Sequence, residues 1–271
     1  MPSLSNSRLA ILLAIILAPA AAVAGEADEH VLWTAWSVHR SSPSNHAAVV
    51  AACRDAESKL GGSPLLPVCR GLMAWHLLES GDLAAAEKAL TNTLSPSGVT
   101  PLEVACDSMA LRWLTRLDRE RVCLGLKAFY GTNVEFPASL DALAKLPQAS
   151  RPPMNDRWGQ PWNYRLAEFK HFKGLSGQKY VLGSARLGAS SDLAVALLQS
   201  YPDGSDLVPE QVLSGGDGRK TVRFHTTGEK PESVVMAEGT GTKNATLAVV
   251  GERILVLSDG DRWVLLGRPT E

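Results

Sequence analysis

The residues able to do chemistry in this 271-residue chain are few and poorly grouped. Six histidines, His30, His39, His46, His76, His171 and His225, are scattered, and no two stand four apart. No helical turn can therefore present a histidine pair to a metal. His76 follows Trp75 in an apolar helical stretch and reads as a core side chain with a satisfied ring rather than a ligand. Gly174-Leu175-Ser176-Gly177-Gln178 lacks the closing glycine of a nucleophile elbow, and no glycine-rich run carries the Lys-Ser/Thr ending of a phosphate loop. Asp118-Arg119-Glu120-Arg121 reads as a solvated charged turn of a helix. Asn244-Ala245-Thr246 matches a glycosylation acceptor triplet and reads as a loop leading into a strand. No catalytic residue and no enzymatic activity are predicted.

Cys53, Cys69, Cys106 and Cys123 all fall in the N-terminal half, with no Cys-x-x-Cys spacing among them. In an oxidising compartment an even count suggests disulfides. If 102–130 is one helix, the seventeen steps from Cys106 to Cys123 span about 25 Å, far beyond disulfide reach. Two bridges would then each join that helix to the Cys53 or Cys69 region. The alternative is that the thiols are small buried apolar side chains.

The elements that must position these residues follow from patterning. Residues 1–24 combine one arginine, Arg8, an apolar run from Leu9 and an Ala22-Val23-Ala24 end, the parts of a secretory signal peptide cleaved after Ala24. The alternative is an uncleaved inner-membrane anchor. Residues 25–100 form a helical region, with helices at 47–60, 68–79 and 83–94 broken at Gly61-Gly62-Ser63-Pro64 and at Ser80-Gly81-Asp82, where Gly81 stops one helix and Asp82 caps the next. Trp33 and Trp36 supply apolar area to dock the mature N-terminal segment in which they lie. A long amphipathic helix runs from 101 or 102 to 129 and ends at Gly131-Thr132-Asn133. Strand patterns dominate after 220, at 221–225, 233–237, 246–250, 254–257 and 263–266, with a hairpin turn at Ser258-Asp259-Gly260-Asp261. The expected class is α+β: a helical hairpin region, an αβ module at 101–200 and a β-rich module at 201–271.

Charges of 27 basic against 28 acidic residues exclude the field that a nucleic acid or anionic membrane would require. Hydrophobic residues at 45% exclude wholesale disorder.

One string, residues 153–164, packs an acid, a glycine, two prolines and three aromatics into a turn. Asp156 can accept hydrogen bonds from the backbone ahead of it, Gly159 can take a positive φ, and Pro161 restricts Gln160. Trp158, Trp162 and Tyr164 alternate, so on one strand they would share a face. With Phe136 and Pro137 upstream and Tyr180-Val181-Leu182-Gly183-Ser184 downstream, the pattern resembles the C-terminal domain of type II secretion major pseudopilins, the GspG-like family, over about residues 108–195. The spacing of Phe136, Trp158, Trp162 and Tyr164 gives a strand face matching the apolar stripe of the long helix, so they are expected to pack largely buried on it. The resemblance also points to the family's calcium loop, for which Asp192, Asp203 and Asp206 are the oxygen-bearing candidates; the alternative is a polar loop without metal. The C-terminal strands bear a distant likeness to the small β-domain of GspC and of pilus lipoproteins.

The family's fibre-forming apolar helix has no counterpart here. The resemblance therefore implies a non-enzymatic, periplasmic or otherwise exported adaptor with protein partners in a type II secretion or type IV pilus-like machine. Its contact with a membrane would come only through an uncleaved N-terminal anchor. Two other readings remain. A helical binding module is suggested by Ala74, Leu78, Gly81, Asp82, Ala86, Ala89 and Leu90, which resemble half of a tetratricopeptide repeat, and it would need a concave groove with exposed aromatics. An exported hydrolase would need acids, His or Ser converging in a pocket.

Overall fold

The computed structural model describes residues 24–96, 98–170, 176–214 and 220–269. The expected signal peptide lies outside the described residues except for Ala24, and so does the glycine-serine string at 174–178 up to Leu175. No described helix is long and apolar enough to cross a membrane.

The protein is α+β. Four helices come first: α1 (Glu26–Ser41), α2 (His46–Lys59), α3 (Leu66–Glu79) and α4 (Leu83–Thr91), each packing on its neighbour in sequence. α1 is an addition to the elements read from sequence. Local chemistry sets the boundaries. Asn45 caps α2 by accepting from the Ala48 N–H at 3.1 Å, and Asp82 caps α4 by accepting from Ala85 at 3.1 Å, just after Gly81 turns the chain at φ +81°.

α5 (Pro101–Asn133) then runs 33 residues, about 50 Å at 1.5 Å per residue. It opens on a capping box in which Thr100 accepts from the Glu103 N–H and Glu103 accepts from the Thr100 N–H, with Pro101 in the first turn. It ends four residues beyond the predicted Phe129, at a left-handed Val134 with φ 61°. For a β-branched residue that conformation is strained.

β1 (Asn163–Lys170) and β2 (Ser176–Gly183) form an antiparallel ribbon beside the C-terminal half of α5. A short α6 (Leu193–Leu197) leads to two three-stranded antiparallel sheets, β3 (Leu207–Ser214) with β4 (Lys220–Thr226) and β5 (Ser233–Ala237), and β6 (Thr246–Val250) with β7 (Ile254–Ser258) and β8 (Trp263–Gly267). β3 was not predicted; Pro209 and the register shift beside it break its strand pattern.

The strands of the second sheet explain the layering. Every residue of β7 is buried, because alternate side chains serve two cores. Ile254 and Val256 face the helices, with Trp263 and Leu265 of β8. Leu255 and Leu257 face the first sheet, meeting Val222, Phe224 and Met236. The order is helices, then β6–β8, then β3–β5. The principal core draws on Trp36, Leu72, Trp113 and Trp263 alike, so the expected ranges 25–100, 101–200 and 201–271 share one interior. Glu29, buried on α1, accepts the backbone N–H groups of Glu252, Arg253 and Ile254 at 2.8, 2.6 and 3.2 Å and ties the first helix to the β6–β7 turn.

A close approach across these layers is at Gly71 of α3. A Cβ there would stand 2.4 Å from Trp263 Nε1 and 2.7 Å from Met109 Cε, both buried. Alanine would gain about 1 kcal/mol in helix propensity but would overpack the junction at a cost of about 1–3 kcal/mol. Because the indole is enclosed and cannot retreat as a flexible chain end would, the clash is expected to win. Gly71→Ala should lower the urea midpoint, and an increase would show that the junction repacks freely.

Candidate functional site

The predicted turn motif is a compact hydrogen-bonded unit. Asp156 is buried, and its Oδ1 accepts the N–H groups of Trp158 and Gln160 at 3.0 and 2.9 Å. Its Oδ2 accepts the Ser184 hydroxyl at 2.7 Å, tying the turn to the end of β2. Gly159 takes φ +75°. Trp162 Nε1 donates to the Pro153 carbonyl at 2.9 Å, and Tyr164 Oη donates to the Pro137 carbonyl at 2.7 Å.

Trp162, with half-buried Phe136 and Tyr164, packs on Val122, Cys123 and Leu126 of α5. Trp158 does not join them. The reversal at Gly159 and Pro161 delays the strand until Asn163, so Trp158 stays in the turn, half-buried beneath the Arg186 guanidinium at 5.2 Å.

The calcium candidates are not brought together. Asp192 caps α6, accepting from Val195 at 3.2 Å, and pairs with Arg119 at 3.0 Å; Asp203 and Asp206 are exposed in the loop before β3. Among the described residues no group of three or more His, Cys, Asp or Glu is arranged to hold a metal ion.

Two further expectations need correction. Asp118 is not a solvated charge. It is buried, with Arg157 Nε at 2.5 Å and Arg121 Nη1 at 2.8 Å, and both arginines continue to Glu87 of α4. The expected bridges from α5 to the Cys53 or Cys69 region are also absent, and all four cysteines are free and buried. Cys123 sits in the separate cluster around Trp162, against Tyr180. Cys53 of α2 instead faces Cys69 of α3.

Sequence reading missed a buried histidine cluster. Three of the scattered histidines meet in the helical core: His39 of α1, His46 at the start of α2 and His76 of α3. His39 Nε2 lies 3.1 Å from the Pro202 carbonyl, His39 Nδ1 lies 3.2 Å from His76 Nε2, and His76 Nδ1 lies 3.0 Å from His46 Nδ1.

The carbonyl can only accept, so His39 carries its proton on Nε2 and accepts on Nδ1. His76 must then donate from Nε2 and accept on Nδ1, and His46 donates from Nδ1. The chain is a directional wire from half-buried His46 to buried His39. His76 spends its two nitrogens in different directions, so the three rings do not converge on one point as metal ligands would.

Trp36, Trp75 and Tyr201 wall the cluster, with Tyr201 centred 5.1 Å from both His39 and Trp75. Burial, aided by the charges that His39 and His46 would carry, pushes His76 down to about 3. Burial also lowers His39, against the pull of the Pro202 carbonyl and Asp203. Burial pushes the Tyr201 phenol up, so it stays neutral while its oxygen accepts the Trp263 N–H at 2.8 Å. The wire can pass a proton between tautomers, but among the described residues no serine or thiol nucleophile is hydrogen-bonded to it.

A cavity of about 580 Å³ lies elsewhere, between the α2–α3 loop, the start of α5 and the β6–β7 turn. Its acids are committed to the fold. Glu29 holds three backbone N–H groups, Glu103 closes the capping box, Glu238 accepts the Val250 N–H at 2.6 Å, and Glu252 pairs with Lys220 and Arg268.

No protein-family model matches the chain, and comparison with curated proteins and with solved structures returns no match.

Proposed function

We propose that this protein is a non-enzymatic, exported adaptor of a type II secretion or type IV pilus-like apparatus. The observation that carries the reading is how α5 is used. Its C-terminal half supports the pseudopilin-like unit through Val122, Cys123 and Leu126. Its N-terminal half, through Leu102, Cys106, Met109, Ala110, Trp113, Leu114 and Leu117, is already buried in the principal core. That face is spent inside the chain and has nothing left to pack against copies in a fibre. The commitment of Glu29, Glu103 and Glu238 to backbone N–H groups, and of Glu252 to Lys220 and Arg268, supports a binding role over catalysis. The helical-module reading called for exposed aromatics in a groove, whereas Trp75 and Trp113 are buried.

Residues 25–271 should stay unpolymerised in solution and bind a periplasmic or inner-membrane component of a secretion or pilus machine. Affinity capture against purified components of those machines, with secretion and piliation measured in a deletion strain, tests this. No binding together with unimpaired secretion and piliation would remove the adaptor reading. Turnover abolished by changing a residue of the 580 Å³ cavity would replace it with an enzyme.

A further inference from the structure

We propose that Cys53 and Cys69 are the disulfide pair of this protein, linking α2 to α3, and that Cys106 and Cys123 remain thiols. Cys69 Sγ donates to the Cys53 carbonyl oxygen at 3.4 Å, and the neighbouring Cys69 side chain together with burial pushes the Cys53 thiol well up. Both side chains are fully buried on helices that pack directly against each other. The carbonyl contact places the Cys69 sulfur beside the Cys53 backbone, across an interface the two helices have already formed. Cys106 lies in the same core on α5, but its burial and its acidic neighbours Asp107 and Glu103 hold its thiol strongly protonated, without a sulfur partner. Cys123 is seventeen residues further along that helix, about 25 Å away, against Tyr180.

The chemistry is thiol–disulfide exchange with a disulfide oxidant, either oxidised glutathione or a protein oxidant of an exporting compartment. A Cys53 or Cys69 thiolate attacks the oxidant disulfide and expels one thiolate. The second cysteine then attacks the mixed disulfide and expels the other. Two electrons pass to the oxidant, and the two thiol protons end on its reduced products. Because the mature pair is sealed from solvent, the exchange belongs to folding. The six-residue connection between α2 and α3 makes their hairpin local, able to close before α5 covers it. The natural oxidant, though not the geometry, rests on the exported reading.

The test begins with the full chain, reduced, unfolded and refolded in oxidised and reduced glutathione, then alkylated in denaturant, so that the buried thiols are reached, and mapped by mass spectrometry without reduction. The expected result is one linked peptide pair containing Cys53 and Cys69, with Cys106 and Cys123 alkylated. Cys106→Ser and Cys123→Ser should retain the link, while Cys53→Ser and Cys69→Ser should each abolish it. Reductant should lower the melting temperature of the linked protein by roughly 5–10 °C. Four alkylated cysteines, or a bond involving Cys106 or Cys123, would overturn the assignment. Protein taken from the source cells and alkylated at once separates the two ideas: four thiols there, with the bond formed on refolding, would leave the pair standing and remove the exported reading.

Discussion

Asp261→Ala should destabilise the protein by about 3–5 kcal/mol, the cost of stripping the partner from buried charge. Asp261 sits in the β7–β8 turn, where Gly260 takes φ +94°. Arg112 reaches it through Nε and Nη2 at 2.7 and 2.9 Å, and Arg116 through Nη1 and Nη2 at 2.7 and 3.0 Å. The Asp261 carbonyl also accepts the Trp113 indole N–H at 2.7 Å.

Arg116 is only 1% exposed, so without Asp261 its charge would be left with the Ser190 carbonyl at 2.9 Å and the Trp113 ring at 4.3 Å. Burial pushes the Asp261 carboxyl up, but the two guanidiniums overcome it and hold it down to about 2. A carboxyl below its unfolded value of 3.8 contributes stability above that value and loses it as pH falls toward 2. That part amounts to about 2 kcal/mol. Chemical denaturation at pH 7 measures the first effect, and a loss below 1 kcal/mol would show that Arg116 finds water or another partner.

These particulars show which parts of the fold were legible. β5 and β6 were predicted to the residue, because their apolar runs are bounded by turn residues on both sides. The cap at Asp82 acts between neighbours in sequence, and Gly81 and Gly159 take the positive φ their turns require. α1 was passed over although Glu26, Asp28 and Glu29 mark a helix start, since its apolar face is thin apart from its tryptophans. Trp158 was misplaced because a period of two was carried through a turn that interrupts it.

The candidate site was illegible for a different reason. His76 is 37 residues from His39 and 30 from His46, and Pro202 lies 163 residues beyond His39. Each histidine alone looks like an isolated core or boundary side chain. Asp118 and Asp261 likewise owe their burial to arginines that alternate with apolar positions along α5, a pattern that reads as solvated until the β7–β8 turn and residues 156–158 close over it.

Acidification from pH 7.5 to 5.0 should weaken the fold through the histidine wire before the acid range of Asp261 is reached. The sign follows from the buried neutral state. His76 is held at about 3 in the folded protein, against 6.5 when unfolded, so the unfolded chain takes up the proton first. The stability that neutral His76 supplies is complete above 6.5 and is lost as pH falls from 6.5 toward 3.

At pH 5.0 the loss from His76 alone is about 2 kcal/mol, taking 1.36 kcal/mol for each pH unit below 6.5. His39 adds to it, being lowered in the same direction. A proton arriving at His76 would also remove the acceptor at Nδ1 that receives the His46 N–H, setting two donors against each other 3.0 Å apart.

Unfolding free energies measured in urea at pH 7.5 and 5.0 should therefore differ by at least about 2 kcal/mol, and the difference should shrink in His76→Phe. That substitution removes the titrating ring while keeping an aromatic against Trp75 and Tyr201. An unchanged difference in His76→Phe would place the acid sensitivity elsewhere. If the wild type shows no loss by pH 5.0, the folded protein accepts a proton on the wire, and Asp203, near His39, is the carboxylate positioned to stabilise it.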